Sequence, residues 1–299
     1  MNLKTATLSS LALIAFAGNS VLCRMALSNG EIDPASFTAI RLISGAVALL
    51  FLLKLNVSGE VKPSPLSSRP RNLAWASSLM LFAYAALFSF AYLTLETGVG
   101  ALILFGSVQI TMVLINLFRG NRLSMFEWLG LLISCSGLVY LVFPELSQPS
   151  FIGFLMMSIA GISWGVYTFL GQGSENPLVD TTSNFTLSLP FVALLVIPFL
   201  VFPFTNGLYA SPQTWALAIA SGALTSGLGY AIWYAALPKL TTSQAGVMQL
   251  LVPIIASLGG VLFSNELLSS RLIIASLLTL GGILLVLLSK QTPRQIEKR

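Results

Sequence analysis

Apolar runs of about 20 residues follow one another along the whole chain, separated by short polar loops. Each run is long enough to cross about 30 Å of hydrocarbon as an α-helix, and none shows the alternation of period two expected of a membrane β-barrel. The pattern therefore predicts an all-α integral membrane protein with ten transmembrane helices. The predicted spans are residues 6–25, 35–54, 73–95, 98–118, 125–143, 150–171, 182–203, 213–237, 241–263 and 269–289.

Composition supports this class of protein. Of the 299 residues, 56% are hydrophobic and 8% are charged, whereas a soluble domain carries about 25% charged residues. So much apolar surface is accommodated by lipid and not by water. Because the first run is followed by nine more, we expect no cleaved signal peptide.

The basic residues are unevenly distributed between alternate loops. If the N-terminus is cytoplasmic, the outer segments carry only Arg24, Arg41 and Arg271, and all the other Lys and Arg residues of the 15 are on the inside. This is the bias of the positive-inside rule, so both termini are predicted to be cytoplasmic. The net charge of +5 then reflects topology. Since the basic residues are scattered over loops, no nucleic-acid partner is expected.

An internal repeat divides the chain into halves. The stretch from Gly120 to Phe143 aligns without a gap with the stretch from Ser264 to Leu287, so that the loop residues Asn121 and Asn265 coincide. Each half carries five predicted spans, and an odd number places two such halves upside down relative to each other, as in many transporters. The predicted units are 1–147, the inverted repeat 148–290 and a cytoplasmic tail 291–299.

Three segments resemble one known family. They are AGNSVLCRMALSNGEIDPASFTAIRLISG (17–45), SWGVY (163–167) and VPIIASLGGVLFSNELLSSRLIIASLLTLGGILLV (252–286). Together they resemble the drug/metabolite transporter superfamily, in its ten-helix EamA branch. In the first half, Arg122 stands where the second half has the family-like loop glutamate, Glu266. The resemblance implies a transporter of the bacterial inner membrane, and the family includes exporters of amino acids, some of them aromatic.

Candidate binding residues are aromatic or amide side chains inside the predicted spans. Tyr84, Phe88 and Tyr92 are four residues apart and share one helix face, and an amide facing hydrocarbon is costly unless it is hydrogen-bonded. Packing, interfacial anchoring and contacts between helices are the alternative roles. The predicted cavity, built from spans one, three, four, six, eight and nine, uses Asn19, Tyr84, Phe88, Tyr92, Gln109, Trp164, Tyr167, Thr168, Tyr230, Tyr234, Gln244 and Gln249.

Pro253 lies in the middle of predicted span nine, where a proline would free the carbonyl of Gln249 and kink the helix. A gating role and a packing kink are both open. Small residues in spans five and ten allow close helix contact, so these spans are expected to brace the bundle.

The charged residues are predicted to lie near the membrane surfaces and outside the middle of the spans. Arg24 with Glu31 or Asp33, and Arg41 nearby, are expected to form a solvated network. All ten acidic residues fall in loops, tails or span ends, and the chain has no histidine, so no proton carrier is expected inside the membrane.

These features predict an exporter of small neutral or zwitterionic metabolites, with aromatic amino acids favoured, working by alternating access without proton coupling. The alternatives are a proton-coupled multidrug or metabolite exporter of the same superfamily and, more distantly, a non-transporting scaffold. No enzyme activity, cofactor or metal site is expected, because the spans lack paired carboxylates and histidine. The expected partners are the solute and the lipid bilayer, and the chain is expected to be a monomer or a weak homodimer.

Overall fold

A computed structural model describes residues 3–56, 70–120, 123–142, 150–172, 174–201, 209–236, 239–240 and 248–289. Within these ranges the chain forms ten principal helices. They are α1 (Leu3–Ser28), α2 (Pro34–Asn56), α3 (Arg71–Ala91), α4 (Thr97–Phe118), α5 (Met125–Val142), α6 (Ser150–Gly171), α7 (Pro177–Val201), α8 (Pro212–Ala236), α9 (Leu251–Ser264) and α10 (Ser270–Ser289).

Eight of these helices are long and apolar enough to cross a membrane, which confirms the prediction of an all-α membrane protein. The other two, α5 and α9, are shorter apolar helices. The described part of α9 begins at Leu251, ten residues after the predicted start of span nine, and residues 241–247 lie outside the described ranges. Residues 248 and 249 are also helical and residue 250 is a turn, so the helix is interrupted directly before Leu251. Pro253 lies in the first turn of α9 and has no N–H to donate to the carbonyl four residues earlier, that of Gln249.

Three helices begin with the same sequence signal, a capping residue followed by proline. The side chains of Asp33, Asn176 and Ser211 accept hydrogen bonds from backbone N–H groups three residues further on, at 2.8, 3.4 and 3.3 Å. These bonds satisfy N–H groups that a helix start leaves unpaired, and the proline supplies a backbone already suited to the helix. As a result, α7 begins at Pro177, earlier than the predicted span that starts at residue 182.

The helix contacts come in pairs that are related by exchanging α1–α5 with α6–α10. Helix α1 packs on α8 and α9, and in the same way α6 packs on α3 and α4. Helix α2 contacts α8, as α7 contacts α3. Three pairs are their own counterparts, namely α2 with α7, α4 with α9, and α5 with α10. The close α5–α10 contact is made by small residues: a Cβ on Gly130 would lie 2.5 Å from the carbonyl oxygen of Gly282.

Helix α8 has a wider, π-helical central segment from Ser221 to Leu228. Its Gly222 lies so close to α2 that a Cβ there would collide with the Ser44 hydroxyl and the Arg41 carbonyl oxygen. The close approach brings the small polar side chains of this segment within reach of α1 and α2. Such π-helical segments occur frequently at functional sites.

Candidate functional site

A cavity lies at the centre of the bundle, between α1, α3, α4, α6 and α8. It measures about 10 Å³, which leaves room for about one water molecule. Aromatic rings dominate its wall, so a larger solute enters only if those rings move. The lining residues are Phe16, Asn19, Tyr84, Phe88, Leu104, Phe105, Trp164, Thr225 and Tyr230.

Trp164 is the centre of the aromatic cluster around this cavity. Its ring lies 4.9 Å from the ring centroids of both Tyr84 and Tyr230, with interplanar angles of 49° and 48°. Its other ring neighbours are Tyr167 at 5.3 Å and Phe16 at 6.4 Å. Helix α6 thus contributes one tryptophan that contacts tyrosines from α3 in one half of the chain and from α8 in the other.

Asn19 is the amide of the cavity wall. Its Nδ2 donates a hydrogen bond to the Tyr84 hydroxyl at 3.1 Å, and its Oδ1 accepts one from the Ser221 hydroxyl at 2.7 Å. The hydroxyl of Thr225 donates to the same oxygen at 3.4 Å. Asn19 therefore links α1 to α3 and to the π-helical segment of α8, and it is both a structural link and part of the cavity wall.

Arg41 lies beside the cavity and is 1% exposed. Its Nε donates to the Ser226 hydroxyl at 3.1 Å and its Nη2 to the Tyr84 hydroxyl at 2.9 Å. The guanidinium carbon is 5.0 Å from the ring centroids of both Tyr84 and Phe88. The prediction that Arg41 belongs to a solvated outer network is wrong, because α2 carries it two turns into the bundle, where neutral hydroxyls and ring faces surround it.

Loops at one end of the bundle, which we call the Glu31 end, hold each other through backbone and side-chain bonds. Ile32 and Ala210 form an isolated antiparallel bridge. Asp33 accepts the N–H of Tyr209 at 2.9 Å, and Glu31 accepts the hydroxyl of Ser211 at 2.9 Å. The α1–α2 loop is thereby tied to the residues that precede α8, which closes this end on that side.

A second set of bonds at the Glu31 end centres on Glu266. Its carboxylate accepts the backbone N–H and the hydroxyl of Thr97 at 2.9 Å, so it satisfies the first residue of α4 and faces the positive end of that helix. Arg24, expected to pair with Glu31 or Asp33, instead has its Nε 3.4 Å from Glu266. Arg24 also donates to the carbonyl oxygen of Tyr92 at 2.9 Å, so α1 is joined to the α3–α4 and α9–α10 loops.

Two further cavities lie among the described residues towards the opposite end, which we call the Ser174 end. A cavity of about 410 Å³ lies there between α2, α7 and α8, with Leu52, Pro177 and Tyr234 in its wall. A smaller cavity closer to the centre is lined by Tyr167, Asp180, Asn184 and Tyr234. Trp164 lines the central cavity and Tyr167 lines the smaller one, and their rings are in contact at an interplanar angle of 34°.

Comparisons with known proteins place this arrangement in a family. The profile of the EamA-like transporter family matches residues 3–143 and matches again at residues 151–288. The chain belongs to the EamA-like transporter family. The family is part of the drug/metabolite transporter superfamily, so the chain is a multi-pass membrane transporter and the resemblance found in the sequence is confirmed.

Relatives of this EamA-like transporter span nearly its whole length. An uncharacterized protein of Pseudomonas aeruginosa is 46% identical over 95% of the chain and 94% of its own length. An uncharacterized transporter of Archaeoglobus fulgidus is 28% identical over 95% of the chain and 98% of its own length. A protein of known crystal structure shares the fold, with a TM-score of 0.65 at 20% identity, covering 95% of this chain and 99% of that one.

The predicted binding residues of this EamA-like transporter fall into three groups. Asn19, Tyr84, Phe88, Trp164 and Tyr230 line the central cavity. Tyr167 and Tyr234 line the smaller cavity towards the Ser174 end. Four of the others line neither cavity. Tyr92 is buried at the end of α3 and donates to the Thr97 carbonyl, Gln109 faces α5 and α10, and Thr168 and Gln249 are half-buried. Gln244 lies outside the described residues.

Sequence reasoning about this EamA-like transporter missed four contributors to the site. Phe16, Ser221, Thr225 and Ser226 contact the cavity or its polar neighbours. The run SGALTSGLG (221–229) was the available signal, because several small polar residues inside an apolar span favour close approach to other helices. Nor does α9, within the described residues, contribute to the central cavity, although span nine was expected to line it.

Proposed function

We propose that this EamA-like transporter exports small zwitterionic metabolites with an apolar part, aromatic amino acids first among them. The observation that carries the proposal is the central cavity, whose wall combines the rings of Phe16, Tyr84, Trp164 and Tyr230 with the amide of Asn19. Aromatic rings offer stacking surfaces to a flat apolar side chain, and amide and hydroxyl groups serve a polar head.

Transport proceeds by alternating access between the two ends. The bonds of Glu31, Asp33 and Glu266 hold the Glu31 end together, whereas the cavity of about 410 Å³ opens at the Ser174 end. The paired helix contacts and the two family matches support two inverted five-helix halves, at 1–147 and 148–290, rocking about the central cavity. Pro253, at the start of α9, is a candidate hinge.

The protein is placed in the bacterial inner membrane with both termini in the cytoplasm. The excess of basic residues on one set of loops supports this orientation, and bacterial relatives support the location. The Glu31 end then faces outward and the Ser174 end faces the cytoplasm. Solute enters from the cytoplasm and leaves when the bonds at the Glu31 end open.

Transport is downhill and independent of protons. The central cavity is lined by no acidic residue in the described part of the chain, and proton carriers in membranes are usually embedded ionisable groups. The second candidate is a proton-coupled exporter of the same superfamily, favoured by Asp180, which is buried in the first turn of α7 and lines the smaller cavity.

Counterflow tests the proposed transport. Liposomes containing only the purified protein are loaded with unlabelled phenylalanine, and uptake of labelled phenylalanine from outside is followed. We expect transient accumulation that empty liposomes do not show. A parallel screen with tyrosine, tryptophan, leucine, lysine and a nucleoside ranks the solutes, and absence of counterflow for all the amino acids would overturn the proposal.

A further inference from the structure

We propose that Arg41 binds the carboxylate group of the transported solute. The inference rests on the transport function proposed above and adds a chemical requirement to it. The starting observation is a charge without a counter-ion: no carboxylate lies within ion-pair distance of Arg41 in the described ranges of the chain, and its Nη1 is buried with no hydrogen-bond partner. Burying a guanidinium without a counter-ion has a cost in free energy, and a bound anion offsets that cost.

The position of Arg41 suits an anion that arrives through the central cavity. Tyr84 and Phe88, whose ring centroids are both 5.0 Å from the guanidinium carbon, are themselves in the cavity wall. The Tyr84 hydroxyl accepts from Arg41 and also from Asn19. Tyr84 therefore contacts both Arg41 and the cavity, and under this proposal its side chain moves aside so that the carboxylate reaches the guanidinium.

A purely structural role for the charge is opposed by the second half of the molecule. Asn184 on α7 stands seven residues after Pro177, as Arg41 on α2 stands seven residues after Pro34. Asn184 is also buried and also donates to a tyrosine hydroxyl, that of Tyr167 at 3.3 Å. At the matching position of α7, a neutral amide therefore makes the contact with a tyrosine hydroxyl. The architecture alone does not require a cation there.

A second arginine, Arg24, which is only partly buried, gives a contrast. Arg24 pairs with Glu266 and donates to a backbone carbonyl. Among the described residues, a carboxylate thus accompanies the arginine that joins helices, Arg24, and none accompanies Arg41. We conclude that the carboxylate for Arg41 comes from outside the protein.

A carboxylate is the anion that fits the surroundings. A guanidinium binds a carboxylate through paired charge-assisted hydrogen bonds. One cation beside a wall of aromatic rings balances one negative charge, whereas a phosphate group would bring up to two. With the carboxylate at Arg41, the apolar part of the solute is directed towards Trp164, next to Tyr84.

The test uses four solutes that share a phenyl ring and differ in their polar groups. Liposomes with the full-length protein are assayed by counterflow with phenylalanine, 3-phenylpropionate, phenylalaninamide and 2-phenylethylamine. The two carboxylates are expected to drive counterflow at least about tenfold better than the two amines, the loss expected when a charge-assisted bond is missing. Equal rates for phenylalanine and its amide overturn the carboxylate site while leaving the transport function intact.

Two variants separate binding from folding. Arg41→Gln is expected to lower phenylalanine counterflow about tenfold or more, and its melting temperature in detergent is expected to remain within about 2 °C of the wild type, or to rise, because a buried unpaired charge is removed. Arg119→Gln is the matched control, since Arg119 also lies on an aromatic ring, that of Phe169 at 4.5 Å, but is exposed at the end of α4. A large fall in the melting temperature of Arg41→Gln would assign Arg41 to the fold and overturn the site.

A binding measurement keeps this inference apart from the transport proposal. 3-Phenylpropionate is expected to raise the melting temperature of the detergent-purified wild type, 2-phenylethylamine is not, and Arg41→Gln is expected to lose the effect. If none of the four solutes shows counterflow, the proposed transport of aromatic amino acids fails. The carboxylate site then stands if the 3-phenylpropionate shift is present and depends on Arg41, and it falls if that shift is absent.

Discussion

Helices α2 and α7 occupy related places in the two halves, yet they carry different chemistry. Both begin with a capping residue and a proline, both bury a polar side chain seven residues later, and both donate from it to a tyrosine hydroxyl. In α2 that side chain is the cation Arg41. In α7 it is the neutral Asn184, with the acid Asp180 one turn earlier.

The difference shows that two helices with matching starts and matching contacts carry different charges. The shared features, which are caps, prolines and tyrosine contacts, fix where helices begin and how they pack. The differing features are the charges, and charge is what a polar solute senses. Under the proposals made above, the α2 side binds the head of the solute, and the α7 side forms part of the route from the Ser174 end.

The largest effect is expected from replacing Trp164. Its ring contacts tyrosines of both halves, so its loss alters the cavity wall on both sides. Trp164→Ala removes four ring contacts, each worth about 0.5–1.5 kcal/mol. Counterflow should fall about 100-fold or more. Membrane abundance should fall by a much smaller factor, because water that fills the enlarged cavity beside Asn19 and Thr225 offsets part of the lost packing.

The control for this prediction is Trp215→Ala, because Trp215 lies in the first turns of α8 and is 49% exposed. It should leave counterflow within about twofold of the wild type. If abundance of Trp164→Ala falls in step with counterflow, Trp164 is a packing residue and its assignment to the transport site fails.

Removing one hydroxyl on each side compares the two halves directly. The Tyr84 hydroxyl accepts from Arg41 and Asn19, so Tyr84→Phe leaves two buried donors without that acceptor, one of them charged. Tyr167→Phe removes the acceptor of the neutral Asn184. The expected loss in the free energy of unfolding is about 2–3 kcal/mol for Tyr84→Phe and about 1 kcal/mol for Tyr167→Phe. Melting in detergent measures both, and equal losses would contradict the difference between the halves.

Sequence alone predicted the class of fold well, because the length of each apolar run can be compared directly with the thickness of the bilayer. The positions of Tyr84, Trp164 and Tyr230 were also within reach, since aromatic residues with a polar group in mid-span need a partner. Arg41 was misplaced because the composition of α2 does not reveal that Gly222 lets α8 approach it closely and supplies Ser226. The π-helical segment of α8 depends on contacts between distant parts of the chain, which a pattern along one segment does not carry.

A smaller effect is expected where the two ends are compared. Glu266→Gln removes the charge that faces Arg24 and the start of α4 at the Glu31 end. Charge at a helix N-terminus contributes about 0.3–1 kcal/mol, so the melting temperature should fall by about 1–4 °C. Glu175→Gln, which changes an exposed acid at the Ser174 end, is the matched control and should change it by less than about 1 °C. Equal shifts for the two variants would show that Glu266 does not hold the Glu31 end together.

The smallest effect, no effect at all, is expected from a pH gradient. Asp180 is the buried acid on the α7 side, and it accepts a hydrogen bond from Ser174; proton coupling through it would make transport uphill when an imposed gradient is present. We expect no net accumulation of phenylalanine in tight liposomes that start with equal concentrations on both sides. Asp180→Asn should then behave like the wild type with and without the gradient. Accumulation that a protonophore abolishes, and that Asp180→Asn loses, would contradict downhill transport and make Asp180 the proton carrier. In that case Arg41 on α2 would bind the solute, and Asp180 on α7 would carry the proton.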